Sequence, residues 1–298
     1  MSVPYLALAS VGKNHWWRYL LGVVLILVFW QVIGALPLLA LMGWVTTDAD
    51  PLTDVNITTL QFSGIHPLWG YLGLNFTLLA MLLGVLLVVR FIHQRPLHTL
   101  LTASQQFNWQ RLWFAAGWFF ILVAAATLVD VLLHPELFRV TFFWKAFFTF
   151  LPIALIITPL QAAAEEVLFR GYMMQGLGLL GWHPAVPVVG SALWFAVAHL
   201  ANPEVDKNTY LIPLLYFFLG LFLAVITVKS GGLELAIGVH AANNLFTVLV
   251  MNYQGSALPS PSLFTASELN PLTGLLSLIV IATIFYWIAF VWRKGATQ

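Results

Sequence analysis

The chain contains no cysteine and very little charge. Only 8% of its 298 residues are Asp, Glu, Lys or Arg, where a soluble domain carries about 25%. Without cysteine there are no disulfides, no thiolate metal ligands and no cysteine nucleophile. The same absence leaves the redox compartment open. A net charge of +1 supplies no basic surface of the kind that holds nucleic acid, so no nucleic-acid partner is expected. Internal repeats, low-complexity tracts and stretches fit for a soluble domain are also missing. The N-terminus has no short apolar segment closed by a small-residue cleavage site, so the first long apolar run reads as a retained helix.

What fills the chain is apolar. Hydrophobic residues make up 61%, and mean hydropathy is +0.91. A globular core of this length cannot hide so much apolar side chain from water, but lipid solvates it. Aromatic residues at 15%, with 13 Trp, suit membrane interfaces. Crossing a bilayer takes roughly 20 apolar residues. Such runs fall at about 17–45, 68–90, 112–133, 143–163, 185–200, 209–229, 232–251 and 271–293. The expected fold is all-α, a polytopic membrane bundle of about eight helices, one transmembrane domain over 1–298. The first run carries Gly34 and Pro37 and is expected to kink. The fifth is short. The fourth holds Pro152 and Pro159 and flows on through Arg170.

Lys and Arg sort unevenly when counted on alternate sides. Lys13, Arg18, Arg90, Arg95, Arg111, Arg170, Lys229, Arg293 and Lys294 fall on the side of the termini, and Arg139, Lys145 and Lys207 on the other. The 46–67 loop carries Asp48, Asp50 and Asp54 and no Lys or Arg. Both termini are therefore expected in the cytoplasm, with an even number of spans.

An ionisable group in a lipid-embedded helix costs about 2.5–3.5 kcal/mol on insertion scales, so those present need a reason. Three clusters stand out. In Glu165-Glu166-Val167-Leu168-Phe169-Arg170, the two carboxylates point about 100° apart on a helix. Glu166 and Arg170 stand at i,i+4 and can pair, which leaves Glu165 free for proton transfer. The plainer reading is a charge cluster in the headgroups. In Phe195-Ala196-Val197-Ala198-His199, a His lies in an apolar run, where hydrogen-bonded packing is the plainer role. In His240-Ala241-Ala242-Asn243-Asn244, His240 and Asn244 share a face, and small residues between them allow close helix approach. Here the plainer role is interhelical polar contact. Taken together the clusters supply what peptide hydrolysis needs. A Glu can act as general base on water. A His can position that water or bind a metal. Neutral His and Asn can donate to an oxyanion.

Glu165-Glu166…Arg170, then Phe195…His199, then His240…Asn244, each in or near an expected membrane helix, resembles the CPBP intramembrane protease family. This family contains the type II CAAX prenyl proteases (Ras-converting enzyme) and their bacteriocin-processing and abortive-infection relatives. The resemblance covers about residues 150–250, the expected catalytic core, and leaves residues 1–140 without a family signal. It implies a helical bundle with an intramembrane site open to the cytoplasmic side and a peptide or protein substrate at the bilayer, a prenylated CAAX-type peptide being one candidate. A bacterial inner membrane is the expected location. Glu165 would activate water with help from His199, His240 and Asn244 would stabilise the oxyanion, and Glu166, Arg170 and Phe195 would be structural support. Another reading makes Glu165, His199 and His240 ligands of a zinc ion. No cofactor is expected on the first reading.

Other chemistries fit less well. Ser191 precedes His199 by eight residues, about 12 Å along a helix, too far for a dyad. Asp130 is the only membrane Asp, so a two-aspartate site is not available. His183 reads as a loop residue, and His15, His66, His93, His98 and His134 as interface residues near helix ends. A proton-coupled transporter using Glu165, His199 and His240 as a relay is the competing function, and a non-catalytic scaffold is a third. One depth does not match. His199 falls some 14 residues into the short fifth helix, whereas Glu165 lies near the expected end of the fourth. The fifth helix is therefore expected to start late and tilt.

Overall fold

In hydrocarbon no water is available to satisfy backbone N–H and C=O groups, so apolar runs close their hydrogen bonds internally as helices. The computed structural model describes residues 4–57, 60–181 and 183–292. Six of its helices are long and apolar enough to cross a membrane: α1 (Trp16–Thr47), α2 (Pro67–Ile92), α3 (Trp109–Leu133), α4 (Trp144–Gly178), α6 (Leu211–Ser230) and α8 (Pro271–Trp292). Two more, α5 (Ala185–Ala198) and α7 (Glu234–Leu249), have 14 and 16 residues. That is short of the roughly 20 a full crossing takes. The all-α polytopic bundle is thus observed; among the described residues, six of these eight helices are long enough for a crossing, and α7 and the expected short fifth helix, α5, are not. Arg293 and Lys294 lie outside those residues.

Local chemistry sets the helix ends. Asn108 accepts from the Arg111 N–H at the start of α3, and Asn270 accepts from Leu272 and Thr273 N–H at the start of α8; both are side-chain N-caps. Helix α6 stops at Gly231, whose φ of 75° places it in the left-handed C′ conformation that glycine adopts most readily. Helix α1 is interrupted at Gly34–Ala35 between a π-helical turn and Leu36.

Short strands mark one end of the bundle. The strand β1 (Asp54–Asn56) pairs with β2 (Gln61–Ser63). β5 (Phe264–Ala266) pairs antiparallel with β3 (Phe138–Val140) and parallel with β4 (Met251–Tyr253). This brings the end of α3, the start of α4, the end of α7 and the start of α8 together. At the opposite end, Leu233 N–H donates to Leu101 O and Lys13 N–H to His93 O. The α6–α7 turn and the N-terminal segment therefore lie with the segment that follows α2.

Helix α7 is the buried centre. It packs against α3, α4 and α6, and small residues make that approach possible. A Cβ on Gly238 would stand 2.4 Å from Leu112 O and 2.9 Å from Ala115 Cβ, so only glycine allows α7 to meet α3 at this depth. We expect Gly238→Ala to destabilise by about 1–3 kcal/mol through overpacking. Gly117→Ala, where a new Cβ meets nothing within 4 Å, should be neutral or stabilising by up to about 1 kcal/mol. Thermal melts of both variants in one detergent check the contrast.

Candidate active site

Glu165 and Glu166 belong to α4, which does not end near residue 163. The helix continues through a π-helical segment, Val167–Met174, to Gly178. π-Helical segments occur often at functional sites. This extension resolves the depth mismatch. At 1.5 Å per residue, Gly178 lies about 20 Å beyond Glu165, and His199 lies about 21 Å beyond Ala185. The expected late start of the fifth helix is not observed, since α5 begins at Ala185; it is the fourth helix that is longer than expected.

His199 is the C-cap of α5. Its Nδ1 lies 2.7 Å from Phe195 O. A carbonyl only accepts, so Nδ1 carries the proton and Nε2 faces the site. Tyr216 of α6 packs on the ring, with centroids 4.4 Å apart. The Nε2 atom lies 3.7 Å from Glu165 Oε2. His240 Nε2 approaches the same oxygen at 3.9 Å, while its Nδ1 is 2.8 Å from Glu166 Oε1. Glu165 Oε2 is buried and has no hydrogen-bond partner. Its other oxygen accepts from Gln161 Nε2. Gln161 Oε1 in turn accepts from Asn244 Nδ2 at 3.0 Å. Gln161 escaped the sequence reading, although its place one helical turn before Glu165 puts it on that residue's face.

Arg170 lies beneath this layer and is fully buried. It donates to Glu166 Oε1 at 2.9 Å and to Gly220 O at 2.9 Å. Its guanidinium also stands 4.6 Å from the Phe195 ring centroid, a cation–π contact. Phe195 thus spans the site, against Arg170 on one side and His199 on the other. Arg170, and Arg95 with it, are buried rather than surface charges, which weakens their use in counting loop charges. His93 is also buried, bonded to Lys13 O and Tyr172 OH, and is no interface residue. His15, His66, His98, His134 and His183 are exposed. Ser191 donates to Phe169 O and takes no part in the site.

The comparison with known proteins bears on this arrangement. Residues 144–246 match a family model described as Type II CAAX prenyl endopeptidase Rce1-like. The chain is 32% identical over 286 residues to "Uncharacterized protein YyaK" of Bacillus subtilis (strain 168), covering 95% of this chain and 94% of that one. The chain belongs to the CPBP intramembrane protease family. It is a multi-pass integral membrane protein and, by family, an intramembrane protease. No solved structure matches it.

The matched segment of this CPBP protease runs from the start of α4 into α7 and contains all three motifs. A cavity of about 830 Å³ adjoins them. It is lined at its deep end by Gln161, Glu165, His199, His240 and Asn244, and it reaches residues of β3, β4 and β5. The cavity therefore faces the strand end of the bundle, opposite the N-terminal segment. A site open to the cytoplasm and cytoplasmic termini cannot both hold. Glu165, His199 and His240 are suitable donor types for zinc. Among the described residues, however, no group of three or more His, Asp or Glu is arranged to hold a metal ion.

Proposed function

We propose that the chain hydrolyses a peptide bond of a membrane-associated peptide with a Glu165-activated water, without a metal. The observation that carries this reading is the buried, unpartnered Oε2 of Glu165, flanked by His199 Nε2 at 3.7 Å and His240 Nε2 at 3.9 Å. A water between Glu165 Oε2 and His199 Nε2 gives one O–H to each and turns a lone pair toward the substrate carbonyl. Glu165 takes the proton as the C–O bond forms. It returns that proton to the amide nitrogen as the C–N bond breaks. The developing oxyanion is met by Asn244 Nδ2 and by His240 Nε2. His240 Nδ1–H is held by Glu166, so its Nε2 donates when the ring is the imidazolium. Glu166 and Arg170 position His240 and do not touch substrate.

A prenylated CAAX-type peptide is the substrate that the Rce1-like description suggests, and other membrane-anchored peptides belong to the same class. A bacterial origin is supported by the Bacillus subtilis relative, and a membrane location by the six long apolar helices. Cytoplasmic termini are supported by the Lys and Arg asymmetry. The test uses purified protein in liposomes with a panel of membrane peptides read by mass spectrometry. His240→Ala should slow hydrolysis about 10²–10³-fold, the loss of one oxyanion donor. A strong zinc chelator should leave wild-type activity unchanged. If the chelator abolishes activity and added zinc restores it, Glu165, His199 and His240 are ligands and Glu166 becomes the base.

A further inference from the structure

The charges of the two bundle ends differ in sign. At the strand end stand Asp48, Asp50, Asp54, Asp130, Glu136, Glu204, Asp206 and Glu268, against Arg139, Lys145 and Lys207. At the other end Glu234 is the one acid among the described residues, against Lys13, Arg18, Arg90, Arg111 and Lys229, with Arg95 buried and left out of the count. Basic loops stay in the cytoplasm, so the strand end faces outward. The cavity that holds Glu165 runs to this end, where exposed Glu136, Glu268 and Asn270 form its mouth.

The lining is also one-signed. Asp130, Glu136, Glu165, Glu204 and Glu268 line the cavity, and no Lys or Arg does. His134 lies 3.9 Å from Glu136. Glu204 is the informative member because it is 2% exposed. Its Oε1 accepts from Tyr253 OH and Ala257 N–H, both at 2.7 Å. Its Oε2 is buried without a partner. An unpaired buried carboxylate oxygen is costly, and a cation entering the cavity would relieve that cost. Low-dielectric walls of one sign focus the field and raise local counter-ion concentration.

We propose that the cavity admits its substrate from the extracytoplasmic face and selects peptide segments that carry Lys or Arg near the scissile bond, with Glu204 as the buried cation acceptor. The substrate half of this proposal rests on the protease reading above; the direction and charge of access do not.

The natural chain has no cysteine, so single-cysteine labelling separates the two parts. Thr247→Cys and Ser277→Cys both line the cavity, and Ser104→Cys marks the exposed opposite end. Right-side-out vesicles are treated with membrane-impermeant thiosulfonates, one bearing trimethylammonium and one bearing sulfonate. Both cavity cysteines should label in sealed vesicles, and Ser104→Cys only after permeabilisation. The cation-to-anion rate ratio, normalised to Ser104→Cys in opened vesicles, should be at least about tenfold. It should fall several-fold in Asp130→Asn/Glu136→Gln/Glu268→Gln. Cavity labelling only after permeabilisation would overturn outward access. A normalised ratio near one, or one unmoved by the triple neutralisation, would overturn cation selection. In liposomes, peptides that differ only in a Lys or Glu flank should be cleaved at least about tenfold faster with Lys, and Glu204→Gln should reduce that preference. Equal cleavage of both would overturn the substrate half. Labelling as expected with no peptide cleaved would instead count against the protease reading alone.

Discussion

Glu165→Gln is expected to reduce peptide hydrolysis by about 10²–10⁴-fold, the usual contribution of a positioned general base, with the fold intact. The substitution keeps the shape of the side chain. Its amide oxygen can still accept from Gln161 Nε2 as Oε1 does now. Its new amino group would face the His199 and His240 Nε2 atoms in place of Oε2. No buried group is stranded, because Arg170 pairs with Glu166 rather than Glu165. An amide oxygen is far too weak a base to take a proton from water, so the chemical step fails while packing survives. The measurement is hydrolysis of one reporter peptide in liposomes together with a melt in the same detergent. Wild-type turnover in Glu165→Gln would end the proposed mechanism. Loss of activity with collapse of the melt would show that the residue holds the fold instead.

The residues of the site were legible in the sequence because polar groups in apolar runs are costly and few. Their neighbours were less so. Gln161 is an uncharged residue one turn from a glutamate and stands out less than an ionisable one. Tyr216 looks like any membrane aromatic until its ring is seen against His199. Glu204 follows Pro203 in a polar stretch and reads as a loop charge, yet the fold buries it. The fourth helix is expected to run on through Arg170, yet it continues to Gly178, because the buried Glu166–Arg170 pair carries that stretch into the interior. Hydropathy also cannot tell a helix that crosses from one that stops in the protein, so it marks α7, and α5 for all its shortness, alongside the six long helices. The direction in which the cavity opens depends on how β3, β4 and β5 come together, and no local pattern encodes that.

Glu166→Gln should act in the opposite sense to Glu165→Gln, lowering stability by about 3–5 kcal/mol, the cost of breaking a buried ion pair from one side. Glu166 and Arg170 are both fully buried, with Nη1 and Oε1 2.9 Å apart. The guanidinium keeps Gly220 O and the Phe195 ring, but those are dipoles and a quadrupole, and no second carboxylate pairs with it. A glutamine oxygen can still accept from His240 Nδ1, so the ring stays oriented in those molecules that fold. Turnover per folded molecule should therefore fall less than in Glu165→Gln. The companion variant Glu166→Gln/Arg170→Met removes the stranded cation. Replacing both members of a buried pair is often close to neutral, so the double variant should recover part of the stability lost in Glu166→Gln. Melting temperatures of the single and double variants, with activity normalised to folded protein, decide the matter. A melt of Glu166→Gln equal to wild type would show that the pair contributes little to stability. Abolished turnover in a stable Glu166→Gln, beside an active Glu165→Gln, would exchange the roles of the two carboxylates.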